Sequence, residues 1–422
     1  MLLGCIADDF TGATDLANML VRGGMRTVQT IGIADAGTVI DADAVVVSLK
    51  SRTTDPEQAV AESLDACRWL KNAGAKQIFF KYCSTFDSTA HGNIGPVMDA
   101  LMQELNCNFT IACPAFPENG RSVYRGYLFV GDLLLNESGM EKHPLTPMTD
   151  ANLVRVLQSQ TAQRVGLARF DVVAAGASAL GKRFEALIQD GVHMAIVDAV
   201  SDADLYTIGE ACAQWPLLTG GSGVALGLPR NFERLGLLRD AGQAAAMPHI
   251  QGPGLVVSGS CSKATNAQVA HWRAHRPAFR IDPFALQRGE PVIAQAIDWA
   301  KANFSNGPVL IYATSAPEEV AAVQNAMGVA AAGALIETAL SSVASALVNH
   351  GVRRLICAGG ETAGAVVKAL GIARMQVGPQ IDPGVPWMVT HTGSDPLALA
   401  LKSGNFGSVD FFEKALTMLD AA

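Results

Sequence analysis

The chain has 422 residues, of which 49% are hydrophobic and only 17% charged, with 31 Lys and Arg against 39 Asp and Glu for a formal net charge of −8. That profile excludes intrinsic disorder, which needs low hydrophobicity and high charge. It also argues against a nucleic-acid partner, because phosphate contacts need a basic surface and no run of Lys or Arg occurs.

Along the chain, short apolar runs that end in turn or polar residues alternate with amphipathic segments of helical length. This is the pattern of a parallel sheet with crossover helices. In the first part the spacing predicts strands at Leu2–Ala7, Thr27–Ile31, Ala44–Ser48, Gln77–Lys81, Phe109–Cys113 and His193–Asp198. Helices are expected between them at Gly12–Gly24, Pro56–Asn72, Ile94–Leu105, Leu180–Asp190 and Asp202–Ala213. The stretch from Pro114 to Pro147, rich in Pro, Gly and aromatics without helical periodicity, reads as a long functional loop.

A second α/β unit restarts near Gly254, after a Pro-containing segment without a clear period. Its expected strands are Leu255–Ser258, Val309–Ala313, Arg354–Ala358 and Trp387–Thr390. Its expected helices are Lys263–His275, Val292–Asn303, Glu318–Met327, Leu335–His350, Glu361–Leu370 and Val409–Asp420. The sequence thus reads as two α/β domains with largely parallel sheets and flanking helices, ligands lying in the cleft between them. The domains are 1–230 and 254–422, with 231–253 as linker. Residues 1–250 hold 27 acids and 19 bases, and residues 251–422 hold 12 of each, so the two parts also differ in charge.

Asp8 and Asp9 arrive too early for a signal peptide. The Ala-rich stretch Val320–Val348 is interrupted by polar residues and reads as a buried helix pair instead of a membrane span. Eight Cys lie singly, with no C-x-x-C, as reduced thiols would in a cytoplasmic protein.

Four motifs carry candidate chemistry. In Ile6-Ala-Asp-Asp-Phe-Thr-Gly-Ala-Thr-Asp15 an apolar strand ends in two carboxylates before a helix. At a strand's carboxyl end, Asp8 and Asp9 can orient hydroxyls, take a proton or hold Mg²⁺, while either can simply cap the helix. Lys50-Ser51-Arg52 follows a second strand, and Lys81-Tyr-Cys-Ser84-Thr-Phe-Asp87-Ser-Thr89 a third. These offer Arg52 as a bidentate carboxylate holder and Lys81 as a point charge, with Lys50, Ser84 and Asp87 as further polar contacts. The turn Asn119-Gly120 would present Arg121.

The fourth motif is glycine punctuation: Ser258-Gly259-Ser260, then Gly359-Gly360-Glu361-Thr362, then Gly404. The first two follow apolar strands and open helices, where backbone N–H groups and the helix dipole cradle phosphate. Neither is a Walker A loop or a GxGxxG fingerprint. His271 and His275 have the spacing of a metal pair but no third ligand, and no protein metal site is expected. Cys83 has no histidine partner nearby except His91 and is read as packing.

Taken in order, Ala7-Asp-Asp-Phe-Thr-Gly-Ala13, Lys81 to Thr89 with Gly92-Asn-Ile-Gly-Pro96, Ser258-Gly-Ser260 and Gly359-Gly-Glu-Thr362 resemble the four-carbon acid sugar kinase family across essentially the whole chain. The resemblance implies a sugar-acid-binding N-terminal domain and an ATP-binding C-terminal domain. It further implies transfer of the γ-phosphoryl group to the C4 hydroxyl of a four-carbon acid, with Mg²⁺ on the phosphates. A 3-oxo-tetronate is the first acceptor, D-threonate or erythronate the alternative, and a non-catalytic sugar-acid sensor the alternative of another class. Under it, Ser258, Gly359 to Thr362 and Gly404 become nucleotide contacts; Asp8 or Asp9 aligns or deprotonates the hydroxyl; and Arg52, Lys81 and Arg121 hold the acid. Small anionic ligands are then the expected partners, with no nucleic acid and no membrane. The oligomeric state stays open, a homo-oligomer included.

Overall fold

The computed structural model describes residues 1–35, 37–143, 145–238, 241–392 and 395–420. The chain divides into two compact units, Met1–Ala245 and Ala246–Ala422.

In chain order the strands of the first unit are β1 (Leu3–Ala7), β2 (Thr27–Ile31), β3 (Ala44–Ser48), β4 (Gln77–Lys81), β5 (Thr110–Cys113), β6 (Arg121–Tyr124), β7 (Tyr127–Val130), β8 (Leu133–Leu134), β9 (Val165–Ala168), β10 (Met194–Val197) and β11 (Leu217–Gly220). Eight of them run parallel in the order β2-β3-β1-β4-β11-β5-β10-β9. Strands β1, β3 and β4 are buried along their whole length, which is why they read as continuous apolar runs without alternation. The order places β3 and β4 on either side of β1, so their carboxyl ends are neighbours. The direction of winding reverses there, the position at which open α/β sheets bind ligands.

The helix after β1 spans Phe10–Arg22, two residues earlier than expected, because Asp9 serves as its N-cap and accepts the Gly12 N–H. Its Leu16, Ala17, Met19 and Leu20 are buried. Farther along, Phe109, Phe184 and Trp215 pack with ring centroids 4.9–5.7 Å apart. The expected loop at Pro114–Pro147 is in part a small antiparallel sheet, β6-β7-β8. Its strands of two to four residues are too short to show a period.

The second unit holds β12 (Gly254–Ser258), β13 (Ala278–Arg280), β14 (Val309–Tyr312), β15 (Arg354–Ala358), β16 (Arg374–Asp382), β17 (Val385–Thr392) and β18 (Asp395–Lys402). Their order is β13-β14-β12-β15-β18-β17-β16, parallel as far as β18, with β17 antiparallel to both of its neighbours. Winding again reverses at a central pair, β12 and β15. Trp272, Trp387, Phe411 and Phe412 fill one side of this sheet. Each indole N–H is satisfied, Trp272 by the Pro277 carbonyl and Trp387 by the Ala415 carbonyl, both at 3.0 Å. Such a ring removes roughly 150–250 Å² from water, about 4–6 kcal/mol at 25 cal/mol per Å².

Val320–Val348 forms the expected pair of helices, Pro317–Met327 and Val329–Asn349. Only the second is buried, through Ala339, Leu340, Val343, Ala344 and Leu347, and the first buries none of its residues. By length and composition Val329–Asn349 is apolar enough to cross a membrane, and 39% of its apolar window is buried inside the unit.

Candidate functional site

Two sites stand at the two reversals of strand order. In the first unit, Asp8 and Asp9 leave β1 while Arg52 and Lys81 come from the ends of β3 and β4. Arg52 grips Asp8 with its fork, Nε to Oδ2 at 3.0 Å and Nη2 to Oδ1 at 2.9 Å, and Nη2 also reaches Asp9 Oδ1 at 2.6 Å. Lys81 Nζ lies 3.9 Å from the same Asp9 oxygen and donates to the Tyr82 carbonyl at 3.1 Å. Gly12 closes the cluster: a Cβ there would sit 2.2 Å from Lys81 Nζ and 2.3 Å from Asp9 Oδ1.

The two carboxylates are not equivalent. Asp8 is buried and both of its oxygens are taken. Burial pushes its carboxyl above the usual range, against the pull of Arg52 and Lys81. Burial also opposes the charge on Arg52, but Asp8 and Asp9 outweigh it and hold the guanidinium ionised. Asp9 is more open, with 27% of its side chain exposed. Its Oδ1 takes the Gly12 N–H at 3.0 Å and the Arg52 contact, and among the described residues no hydrogen bond occupies Oδ2. The helix cap and the more open carboxylate therefore fall on the same residue.

Ser84 and Asp87 lie half-buried on the loop after β4, where Asp87 Oδ1 accepts from the Thr85 hydroxyl at 2.6 Å. Phe86 between them is fully buried and takes φ 52°, a left-handed conformation that a bulky residue adopts only where its surroundings enforce it. Lys50 is exposed and joins neither carboxylate. Arg121 opens β6, where Nη1 donates to the Asn119 carbonyl and Nε is buried without a partner. Among the described residues no bond links it to the Asp8–Asp9–Arg52–Lys81 cluster. Cys83 bonds Thr85 Oγ1 at 3.0 Å, and burial pushes its thiol up, so it is no ready nucleophile.

In the second unit a cavity of about 390 Å³ opens beside the turns after β12 and β15. Gly259, Ser260 and Gly359 to Thr362 form its polar wall, and Val320, Val323, Ala332 and Ile336 of the two long helices form its apolar wall. That explains why the apolar residues of Pro317–Met327 stay unburied. Gly359 has φ 130°, and a Cβ on it would meet Thr362 Oγ1 at 3.0 Å and the Ser260 nitrogen at 3.1 Å.

The turns differ from simple cradles. The N–H groups of Gly259 and Ser260 are spent on the Ala358 carbonyl, and that of Gly359 on the Lys402 carbonyl. Those left for an anion are Gly360, Glu361 and Thr362, the first turn of the helix Gly360–Ala369. Ser258 is buried behind the wall, its hydroxyl 2.6 Å from that of Thr314. Gly404 also lies behind the wall, its carbonyl accepting from Ser262 and Thr265 at 2.5 and 2.8 Å.

Comparison with known proteins shows the family. The profile described as "Sugar-binding N-terminal domain" matches residues 3–228, and that described as "Nucleotide-binding C-terminal domain" matches residues 255–412. A Burkholderia multivorans protein named 3-oxo-tetronate kinase is 63% identical over 421 residues, covering 100% of this chain and 98% of its own. A Pseudomonas fluorescens protein of the same name is 64% identical, covering 99% and 97%. The chain belongs to the four-carbon acid sugar kinase family. A solved Haemophilus influenzae structure aligns with TM-score 0.88 at 44% identity, covering 99% of this chain and 100% of that one.

Three further polar groups stand beside these clusters, and the motifs give them no role. Asn93 Nδ2 donates to the carbonyls of Ser51, Arg52 and Thr54 at 2.7, 3.3 and 3.2 Å, and so fixes the loop that carries Arg52. Asp15 has a buried oxygen with no partner. Burial pushes its carboxyl up, against a hydrogen bond from Ser222 and the charge of Lys81. Lys402 is buried at the end of β18. All three stand inside or beside the motifs, Asn93 next to Gly92, Asp15 closing the Ile6–Asp15 run and Lys402 two residues before Gly404.

Among the described residues no cluster of three or more His, Cys, Asp and Glu could hold a metal ion alone, and His271 instead meets Glu413 at 3.8 Å. Glu337 and Glu361 both line the cavity, close enough that Glu361 adds to the burial that raises the Glu337 carboxyl. Two hard oxygen donors suit Mg²⁺, which keeps several waters and takes phosphate oxygens as its other ligands.

Proposed function

We propose that the chain is an ATP-dependent kinase that phosphorylates the C4 hydroxyl of a 3-oxo-tetronate, giving the 4-phosphate and ADP. The observation that carries this reading is the asymmetric Asp8–Arg52–Asp9 cluster at the β1/β4 reversal, in a chain 63% identical over its length to a 3-oxo-tetronate kinase.

In this reading Asp9 Oδ2 accepts the C4 hydroxyl proton as the hydroxyl oxygen attacks the γ-phosphorus and the bond to the β-phosphate oxygen breaks. Asp8 does not reach the substrate. It locks Arg52, whose Nη2 holds Asp9 in place. Arg52 Nη1 and Lys81 are the cations left for the carboxylate and carbonyl of the acid, with Ser84 and Asp87 on its hydroxyls and Lys50 and Arg121 as outer contacts. The base and ribose rest on the apolar wall of Val320, Val323 and Ile336, and the phosphates meet the N–H groups of Gly360 to Thr362. Gly259, Ser260 and Gly359 shape that wall, and Ser258 and Gly404 support it from behind. Glu337 and Glu361 would hold Mg²⁺, which when bound neutralises charge on the β and γ oxygens. The enzyme's own share is positioning, since phosphoryl transfer asks little covalent chemistry of the protein.

Coupled ADP release on a panel of 3-oxo-tetronates, D-threonate and erythronate tests the reading, with phosphorus NMR to locate the ester on C4. Highest kcat/KM on a 3-oxo-tetronate is expected. A preference for threonate or erythronate would move the substrate assignment, and no stimulation by any acid would make the protein a sensor.

A further inference from the structure

The cavity proposed for the nucleotide poses an electrostatic problem. Glu319, Glu337 and Glu361 line it, and among the described residues no Lys or Arg does. Arg280 alongside is spent on Glu319 and on the Ser315 hydroxyl. A nucleotide adds at least two more negative charges; the Mg²⁺ proposed on Glu337 and Glu361 would be offset by those two carboxylates, and the helix N-terminus offers only about half a unit of positive charge.

A whole positive charge lies one layer deeper, on Lys402, which is 1% exposed. Its Nζ donates to Thr265 Oγ1 at 2.9 Å and to the carbonyls of Ser403 and Gly404 at 3.0 and 3.2 Å. Gly404 presses on the cavity wall so closely that an added Cβ would sit 2.4 Å from Ser260 Oγ. The Lys402 carbonyl takes the Gly359 N–H at 2.9 Å. One residue thus braces both glycine turns, by its side chain and by its backbone.

Three neutral acceptors use the three donors of the ammonium, yet no carboxylate pairs with it among the described residues. Of the titratable groups on the elements around it, Lys263, His271 and Arg273 on the helix after β12, Arg354 and Cys357 on β15, Glu361 and Lys368 on the helix after β15, His391 on β17 and Arg374 and Asp382 on β16, none bonds to Nζ. Asp382 is committed to Ser408 and Lys414. A buried ammonium without a counter-ion is costly, and burial pulls Lys402 down to about 8. An anion at the cavity wall would supply the missing counter-charge.

We propose that Lys402 is the positioning residue of the phosphate subsite: without touching the nucleotide, it holds Gly404 against the Ser260 turn and supplies the positive potential behind Gly359 and Gly360. This rests on the nucleotide reading of the cavity. The test is calorimetric titration of ADP, and separately of adenosine, into wild type and Lys402→Met at neutral pH. Wild type should bind both. Lys402→Met should bind adenosine within about twofold of wild type and ADP about 10- to 100-fold more weakly, the scale of one charge acting across a few ångströms of protein. Equal losses for both ligands would reduce Lys402 to a structural prop, and unchanged ADP affinity would leave it no role; either overturns the proposal.

If Lys402→Met does not fold, the wild-type lysine provides the second measurement. In a Cys261→Ser background, which removes the thiol at the cavity wall, raising the pH from about 7 to about 9 should weaken ADP several-fold and leave adenosine unmoved. A flat ADP profile overturns the proposal. A wild-type protein that binds neither ADP nor ATP removes the nucleotide reading and this inference with it.

Discussion

The first unit reverses its winding at β1 and β4 and the second at β12 and β15, yet the side chains offered at the two reversals differ in kind. At the first, four charged groups meet within hydrogen-bond or ion-pair distance and neutralise one another before any ligand arrives. At the second, glycines, helix N–H groups and an apolar wall meet, with Glu337 and Glu361 on the wall and a buried ammonium behind it that bonds only neutral oxygens. Under the proposed function the difference follows what each site must do. A small acid has to be gripped and its hydroxyl aimed, which takes side chains with direction, whereas phosphates need close backbone approach, which only glycine allows.

The sharpest way to break the comparison is Asp9→Asn. If the first site is the chemical one, single-turnover transfer should fall about 10²- to 10⁴-fold with little change in the KM for the acid. A wild-type rate from Asp9→Asn would move the chemistry elsewhere. Next comes Arg52→Ala, which strips Asp8 of its partner and should cost about 3–5 kcal/mol of stability in a denaturant titration, the price of an unpaired buried charge. Adding Asp8→Asn should recover most of that loss and none of the activity.

A matched pair of glycine substitutions separates the sites. Gly12→Ala crowds Lys81 and Asp9, and Gly359→Ala crowds Thr362 and Ser260. The first should raise the KM for the acid and the second that for the nucleotide, each about tenfold, about 1.4 kcal/mol. Crossed effects would undo the division of labour.

The smallest expected effect is on stability alone. Burial raises the Asp15 carboxyl in the folded state, so its stabilising contribution is complete below the ordinary aspartate value and is lost as pH rises through the shifted one. Asp15→Asn should therefore raise the melting temperature at neutral pH, and the gain should shrink toward pH 4. A gain that grows on acidification would contradict the assignment.

Much of this was readable in the residues. The Asp8–Asp9 pair and the strand ends carrying Arg52 and Lys81 stand out because fully buried parallel strands read as apolar runs and polar residues mark where they stop. What brings those ends together is the β3-β1-β4 order, and no local pattern encodes strand order. The glycine turns were legible too, but which N–H groups remain free depends on carbonyls from β15 and β18, more than forty residues away for Gly359 and near a hundred for Gly259. Strands β9 and β13 escaped because three or four residues show no period. Lys402 escaped because β18 was not among the expected strands, so nothing in the sequence placed this lysine at a buried strand end.

Asn93 carries a consequence for chemical ageing. Its one amide nitrogen clips three carbonyls of the Arg52 loop, and no ligand group is involved. Hydrolysis of that amide to a carboxylate would leave an anion facing three oxygens, and the loop would be pushed open. A stored enzyme could then lose its grip on the acid through a single lost ammonia, with every ligand-contacting residue intact and the mass changed by about one dalton.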